Sequence, residues 1–464
     1  VAQPRGQWSG RLGFILAAAG SAVGLGNLWK FPYITYENQG GAFVLVYIAA
    51  IALVGLPIMF AEIILGRRSQ LSPVGAFRKL AAGRPGGSGW CAVGYLGVAA
   101  GFIILSYYSV VAGWTLRYTW MALSGELGRL AAEPGALDTF FGGYVADGGA
   151  QLLGNGLFMA TTVAAVFFGV KSGIERVATF LMPILMVILL SLAVYAATTP
   201  GFGAAISFLF RPNFGELTSH GLLEAVGHAF FTLSLGMGAI VTYGSYMGKE
   251  TSIPVSGLAI AALDTIIAIL ACIVMFSIIF TFDLDVTKSA GILFTTLPAV
   301  FFQLSGGGLL AASFYILVAF AALTSTISLL EVVSSFSIDE LGWSRHRATL
   351  TMGAAIFLFG ILNALSLGAN DALTSLNVFG DTHLGVFNNL DYLASNWLLP
   401  VGGLLIAIFT GWILSPRDTL AEMETGHPGS RSWFPGWLAL IRFVSPLAVG
   451  AIIFSIIFLG MEYQ

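Results

Sequence analysis

Two short runs decide how this chain folds: Gly20-Ser21-Ala22-Val23-Gly24-Leu25-Gly26-Asn27 and Thr232-Leu233-Ser234-Leu235-Gly236-Met237-Gly238. Each sets a Gly-x-Gly inside an apolar stretch that otherwise reads as a long helix. Glycine weakens a helix and tolerates backbone conformations closed to other residues. Both stretches are therefore expected to break partway along.

The surroundings say where these breaks lie. Of 464 residues, 57% are hydrophobic and 9% charged, with a mean hydropathy of +0.88; soluble domains carry about 25% charged residues. A helix needs about 20 apolar residues to cross the hydrocarbon core. Eleven segments meet that need, near residues 11-36, 41-66, 88-124, 152-170, 173-198, 222-247, 254-282, 308-338, 347-367, 388-414 and 435-461. The expected fold is an all-α membrane protein of eleven transmembrane helices forming one domain over 1-464, broken in the first and the sixth. The two breaks sit five spans apart, so the halves 11-198 and 222-414 would be inverted repeats, with 435-461 an additional helix.

Loop charges set the orientation. Arg67, Arg68, Arg78, Lys79, Arg84, Lys171, Arg176, Lys249, Arg345, Arg347, Arg417 and Arg431 fall on one side, against Lys30, Arg129, Arg211 and Lys288 on the other. The positive-inside rule puts the N-terminus in the cytoplasm and, after eleven spans, the C-terminus outside, in a plasma (inner) membrane protein of many passes. The first segment is too long for a signal peptide and has no small-residue cleavage site before the next span. A net charge of -3 gives no basic field for nucleic acid. Cys91 and Cys272 match no metal or disulfide spacing and read as small buried hydrophobes. No nucleophile–base set appears and the five histidines are unclustered, which argues against an enzyme.

Backbone released at mid-membrane is tolerated only where it lines a cavity or is buried in protein. A matched pair of interrupted segments in two halves points to a transport site. Freed helix N-termini offer N–H donors to a carboxylate, and freed carbonyls offer oxygens to a cation. A zwitterionic amino acid with sodium would satisfy both. The competing reading is close helix packing, which small residues also serve and which accounts for most of the 58 glycines.

Further motifs sharpen this. Trp8-x-x-Arg11-Leu-Gly-Phe-Ile-Leu-Ala, Ala22 to Pro32, Glu37-Asn38-Gln39-Gly40-Gly41-Ala42-Phe43, Gly55-Leu-Pro57 to Glu62, Phe230 to Gly236 and Leu323-Thr324-Ser325-Thr326 occur in this order. Together they resemble the neurotransmitter:sodium symporter family over nearly the whole chain. The resemblance implies two sodium sites. The first would use Ala22, Asn27 and Thr232, with Asp264 close by, and the second Gly20, Val23, Ala321, Thr324 and Ser325. Oxygen ligands suit a hard cation. Ser and Thr also bond back to their own helix, but three consecutive hydroxyls at 324–326 are expected to face the break.

The resemblance also implies roles for single residues. Asp264 stands where relatives commonly carry asparagine. With Ala268 giving no hydroxyl for chloride, its carboxylate would replace that anion, making transport chloride-independent. Two competing readings are a protonated Asp264 in an internal hydrogen bond and a proton carrier on the return step. His228 is a hydrogen-bond partner near that charge, a proton acceptor or a structural residue. Gly24 replaces the aspartate of amine carriers, so the cargo would bring its own carboxylate. Ala22, Leu25, Gly26, Tyr108, Phe231, Thr232 and Ser234 would hold the amino-acid head. Ile104, Tyr108, Phe231, Ser234, Met237, Ser325 and Leu329 would hold a neutral side chain, large and apolar or aromatic, with plain packing the competing role for Ile104, Met237 and Leu329.

Lys30 and Asp391 would form an outer gate beneath which Phe231 and Tyr108 make a lid. Arg5 and Asp339, with Trp8, Ser245 and Tyr246, would form an inner one. Gly173 and Pro183 would let the fifth span unwind at its inner end. A different small zwitterion, or a non-transporting receptor on the same fold, are the alternative functions.

Overall fold

The computed structural model describes residues 6–284 and 292–461. Among these residues every regular element is helical. The membrane segments fall where the apolar runs placed them: α1 Arg11–Ala22 and α2 Gly26–Glu37, α3 Gly41–Ser69, α4 Gly87–Ser124, α5 Gly148–Phe167 and α6 Val170–Ala196. The sixth segment is a pair, α7 Ser219–Thr232 and α8 Ala239–Gly244. Then come α9 Ile253–Phe282, α10 Gly307–Leu341, α11 Arg345–Leu365, α12 Val386–Ile413 and α13 Phe434–Leu459.

Nine of these helices are each long and apolar enough to cross a bilayer, and the α1–α2 pair, bent by 54°, makes a tenth. The eleventh expected segment is α7 with α8, separated by the non-helical residues 233–238. Both expected breaks are present.

The two breaks have different causes. Val23 ends α1 in an extended conformation (φ -71°, ψ 106°), and neither Gly24 nor Gly26 has a positive φ. These glycines serve close approach instead. A Cβ on Gly24 would lie 2.7 Å from Ser325 Oγ and 2.8 Å from the Tyr108 hydroxyl. In the second break Ser234, Gly236 and Gly238 adopt φ of 54°, 78° and 76°, the left-handed region that favours glycine. There the glycines supply the backbone turn itself.

Packing places these breaks. α4 and α10 pack most extensively, and α5 and α11 lie against both. A second group comprises α1, α3, α7, α8 and α9, with α6 bridging to α1, α9 and α10. The breaks face the scaffold across the seam between the groups. Cys272 is buried on α9 as expected, whereas Cys91, at the start of α4, is only half-buried.

Candidate functional site

Each break leaves backbone groups that need partners. At the first, the Gly24 N–H donates to Asn27 Oδ1 at 3.0 Å and the Leu25 N–H to the Tyr108 hydroxyl at 2.9 Å. At the second, the Gly236 N–H donates to the buried Glu62 carboxylate at 2.7 Å. The Ser234 and Leu235 N–H groups fold back onto the carbonyls of Phe231 and Phe230. Ser234 Oγ donates to the Ser21 carbonyl at 2.9 Å, tying one break to the other.

Between them lies a cavity of about 30 Å³, room for two or three water molecules. It is lined by Ser21, Ala22, Gly24, Gly26, Ile104, Tyr108, Phe231, Thr232, Ser234, Met237, Ser325, Ser328 and Leu329. Every residue expected at the amino-acid pocket is there except Leu25, whose N–H is taken by Tyr108. No lining side chain is charged. Sequence reasoning missed Ser21 and Ser328, whose hydroxyls bond each other at 2.7 Å on the cavity wall. Ser21 lay inside the decisive run, but only the tertiary contact distinguishes it from the serines that bond back to their own helix.

The residues of the first expected cation site converge. Asn27 Nδ2 donates to Asp264 Oδ1 at 2.7 Å and to Thr232 Oγ1 at 3.0 Å. Thr232 Oγ1 donates to the Asp264 carboxylate at 2.9 Å, and the Tyr47 hydroxyl reaches its other oxygen at 3.3 Å. A buried carboxylate needs such partners, and Asp264 is fully buried. His228 is not one of them. Among the described residues neither of its ring nitrogens has a hydrogen-bond partner, and it stacks on Phe31 at 5.4 Å. Of the readings offered for it, the hydrogen-bond partner of Asp264 is therefore corrected.

The second expected site gathers as well. Ser325 Oγ reaches the carbonyls of Val23 and Ala321, each at 3.3 Å, and Thr324 Oγ1 reaches Ala321 O at 3.0 Å. Gly20 packs against Thr324. The third hydroxyl does not face the break. Thr326 Oγ1 meets Thr162 Oγ1 on α5 at 2.8 Å, because successive helical residues turn by about 100° and three in a row cannot share one face.

At the outer end the two expected gate residues are not in direct contact. Lys30 Nζ lies over the Phe231 ring, 4.5 Å from its centroid. No direct ion pair joins it to Asp391, which accepts instead from Ser395 Oγ at 3.4 Å. At the inner end Arg5 lies outside the described residues. Asp339 accepts the Ser72 N–H at 2.5 Å. Trp8 is locked by two bonds, Nε1 to Tyr243 O at 2.9 Å and its N–H to Tyr246 O at 3.2 Å. Ser245, just past the end of α8, bonds back to Thr242 O. The Tyr246 hydroxyl donates to Glu331, which Arg345 grips through two bonds at 2.7 and 2.8 Å. This pair, with Glu331 buried and Arg345 partly exposed, was missed, although a carboxyl within a span is itself a signal. Gly173 lies in a π-helical stretch, Val170–Glu175, and Pro183 inside α6; that helix is intact from Val170 to Ala196.

Comparison with known proteins agrees with this geometry. A profile described as "Sodium:neurotransmitter symporter family" matches residues 5–131 and 149–463. An "Uncharacterized sodium-dependent transporter YhdH" of Bacillus subtilis (strain 168) is 39% identical, covering 97% of both chains. A "Sodium-dependent nutrient amino acid transporter 1" of Drosophila simulans is 27% identical, covering 82% of this chain and 69% of its own. The solved structure titled "Crystal structure of MhsT in complex with L-phenylalanine" superposes with a TM-score of 0.88 at 43% identity, covering 97% of this chain and 100% of the other. This chain therefore belongs to the sodium:neurotransmitter symporter family: it is a multi-pass membrane transporter of a sodium-coupled family, and not an enzyme.

Proposed function

We propose that the protein moves a neutral, hydrophobic or aromatic L-amino acid into the cell together with sodium, by alternating access and without chloride. The observation that carries this reading is the uncharged cavity between two broken helices, whose wall joins backbone donors to a mostly hydrocarbon floor. A substrate carboxylate near Leu25, Gly26 and the Tyr108 hydroxyl would meet N–H donors. Its ammonium would meet the oxygens of Ala22, Phe231, Thr232 and Ser234. Sodium is cargo here, at a first site of Ala22, Asn27 and Thr232 beside Asp264 and a second of Gly20, Val23, Ala321, Thr324 and Ser325. L-phenylalanine in the neighbouring solved structure supports the aromatic preference. The present cavity is smaller than a phenylalanine side chain, so the Phe231 lid and Met237 would shift on binding; methionine is well suited to that.

The cavity's size favours one second reading, a smaller zwitterion. Uptake into proteoliposomes, with a panel of labelled amino acids and with sodium and chloride replaced independently, separates the two. Sodium-independent uptake would reject the coupling. The chloride claim rests on Asp264 meeting Tyr47, Thr232 and Asn27, with no hydroxyl at Ala268. Uptake that stops when gluconate replaces chloride would reject it, as would an Asp264→Asn variant that transports unchanged and shows no new anion requirement. The repeat boundaries 11-198 and 222-414, the cytoplasmic N-terminus and the inner-membrane location belong to the same proposal. So do the gating roles of Lys30, Asp391, Arg5, Asp339, Trp8 and Tyr246, and the unwinding of α6 at Gly173 and Pro183.

A further inference from the structure

We infer that Glu175 is a positioning residue that clamps the inner end of α1 to α6, so that unwinding of the first turns of α6 releases α1. Helix α1 begins without a cap of its own. Its N-cap is Gly10, among the described residues no side chain bonds its free N–H groups, and its first turn holds no acidic residue. An anion at that position is favourable, because the first turn of a helix exposes unpaired N–H groups. Glu175 supplies it from another helix. Both of its carboxylate oxygens accept the Ser9 N–H, at 3.2 and 3.0 Å, and one also accepts the Ser9 hydroxyl.

The fit is specific. A Cβ on Gly13, in the first turn of α1, would lie 1.8 Å from Glu175 Oε1 and 2.5 Å from its Cδ. Any larger residue there would push the carboxylate off the helix end. Glu175 is itself 5% exposed.

The mechanical link lies in where Glu175 sits. It closes the π-helical stretch Val170–Glu175, which follows Gly169 at a φ of 84°. A helix terminus is the first part to open locally. Gly173, two residues before Glu175, is held with its Cα hard against the Ala165 carbonyl of α5; a Cβ would lie 2.0 Å from that oxygen. Pro183 has no N–H, so the Thr179 carbonyl one turn before it lacks its helical donor. If residues 170–175 uncoil, the carboxylate leaves with them and α1 loses the anion at its start. The same residues border a groove of about 880 Å³ that includes Ser9, Lys171 and Arg176. Water can therefore replace the Ser9 bonds as they break, which keeps the clamp reversible.

The inference rests on the transport reading, so its test needs neither amino acid nor sodium. In full-length protein in lipid nanodiscs, with Cys91→Ala removing the accessible native thiol, Ala17→Cys places a thiol on the buried side of α1. Maleimide labelling at position 17 then reports how often α1 swings away. Glu175→Ala is expected to raise the labelling rate at least fivefold. Ser9→Ala should raise it less, and the double variant no more than Glu175→Ala alone. A Glu175→Ala protein that is folded and labels at the parent rate overturns the inference. If that variant does not fold, Glu175→Gln and Ser9→Ala decide: intermediate rates support the clamp, and parent rates in both overturn it. A wild-type protein that fails to take up any amino acid would sink the transport reading while leaving the labelling result intact.

Discussion

The first and second breaks do the same job with opposite materials. At the first, the freed N–H groups of Gly24 and Leu25 are answered by Asn27 and Tyr108. Tyr108 borders the cavity, so a ligand can take over its N–H group. At the second, the freed Gly236 N–H is answered by Glu62, a fully buried carboxylate outside the cavity wall, and three residues with positive φ hold the turn. The first break is thus built to exchange partners and the second to hold its shape. On the proposed function, one side of the site would respond to cargo while the other serves as its fixed wall.

The largest effect that comparison predicts is at the fixed wall. Glu62→Ala strands a buried N–H, at a cost of about 1–3 kcal/mol, and removes the side chain that shapes the second break. Uptake should fall at least 100-fold and the melting temperature should drop; Glu62→Gln, which keeps an acceptor oxygen, should recover much of both. If Glu62→Ala transports normally, the second break is not held from outside.

Next comes Gly24→Ala. Its methyl would crowd Ser325 Oγ and the Tyr108 hydroxyl, and overpacking costs about 1–3 kcal/mol. Equilibrium binding of labelled amino acid should weaken by about 5- to 150-fold, the fold-change equivalent to that range. An unchanged affinity would mean that close approach at this break is not needed.

Tyr108→Phe should act more mildly. It deletes one neutral hydrogen bond, worth about 1 kcal/mol, and should raise the Kd for amino acid about fivefold with little change in thermal stability. A stability loss as large as that of Glu62→Ala would erase the distinction between the two breaks.

The smallest effect is expected at Met237, which lies between the two left-handed glycines with its side chain on the cavity. Met237→Leu conserves volume, a change that costs under about 1.5 kcal/mol. It should leave sodium dependence intact and alter the preference between aromatic and aliphatic amino acids by about two- to threefold in competition assays. A change in sodium dependence would show that this side chain does more than shape the floor.

Much of the site was legible because its signals are local. Glycine pairs inside apolar runs announced both breaks, and the motif order carried the pocket. Asp264, a carboxylate in the middle of a span, demanded partners, and it has three. What escaped were relations between side chains. Glu331 with Arg345, and Ser21 with Ser328, meet only after helices far apart in the chain pack together. The missing contact within the outer pair has a related cause. Lys30 and Asp391 have complementary charges, but the ammonium rests on the Phe231 ring, an attraction that opposite charge alone does not foresee.

By itself the amino-acid sequence determined the placement of the apolar segments and the two points where they break. Hydrocarbon thickness sets the segment length, and glycine weakens a helix wherever it falls. Only the tertiary structure decided how the breaks differ in holding their loose backbone, because the distinguishing partners come from other helices. Tyr108 on α4 and Glu62 on α3 reach their N–H groups across the packed interior. A hydrogen bond depends on distance and angle in space, and neither is written along the chain.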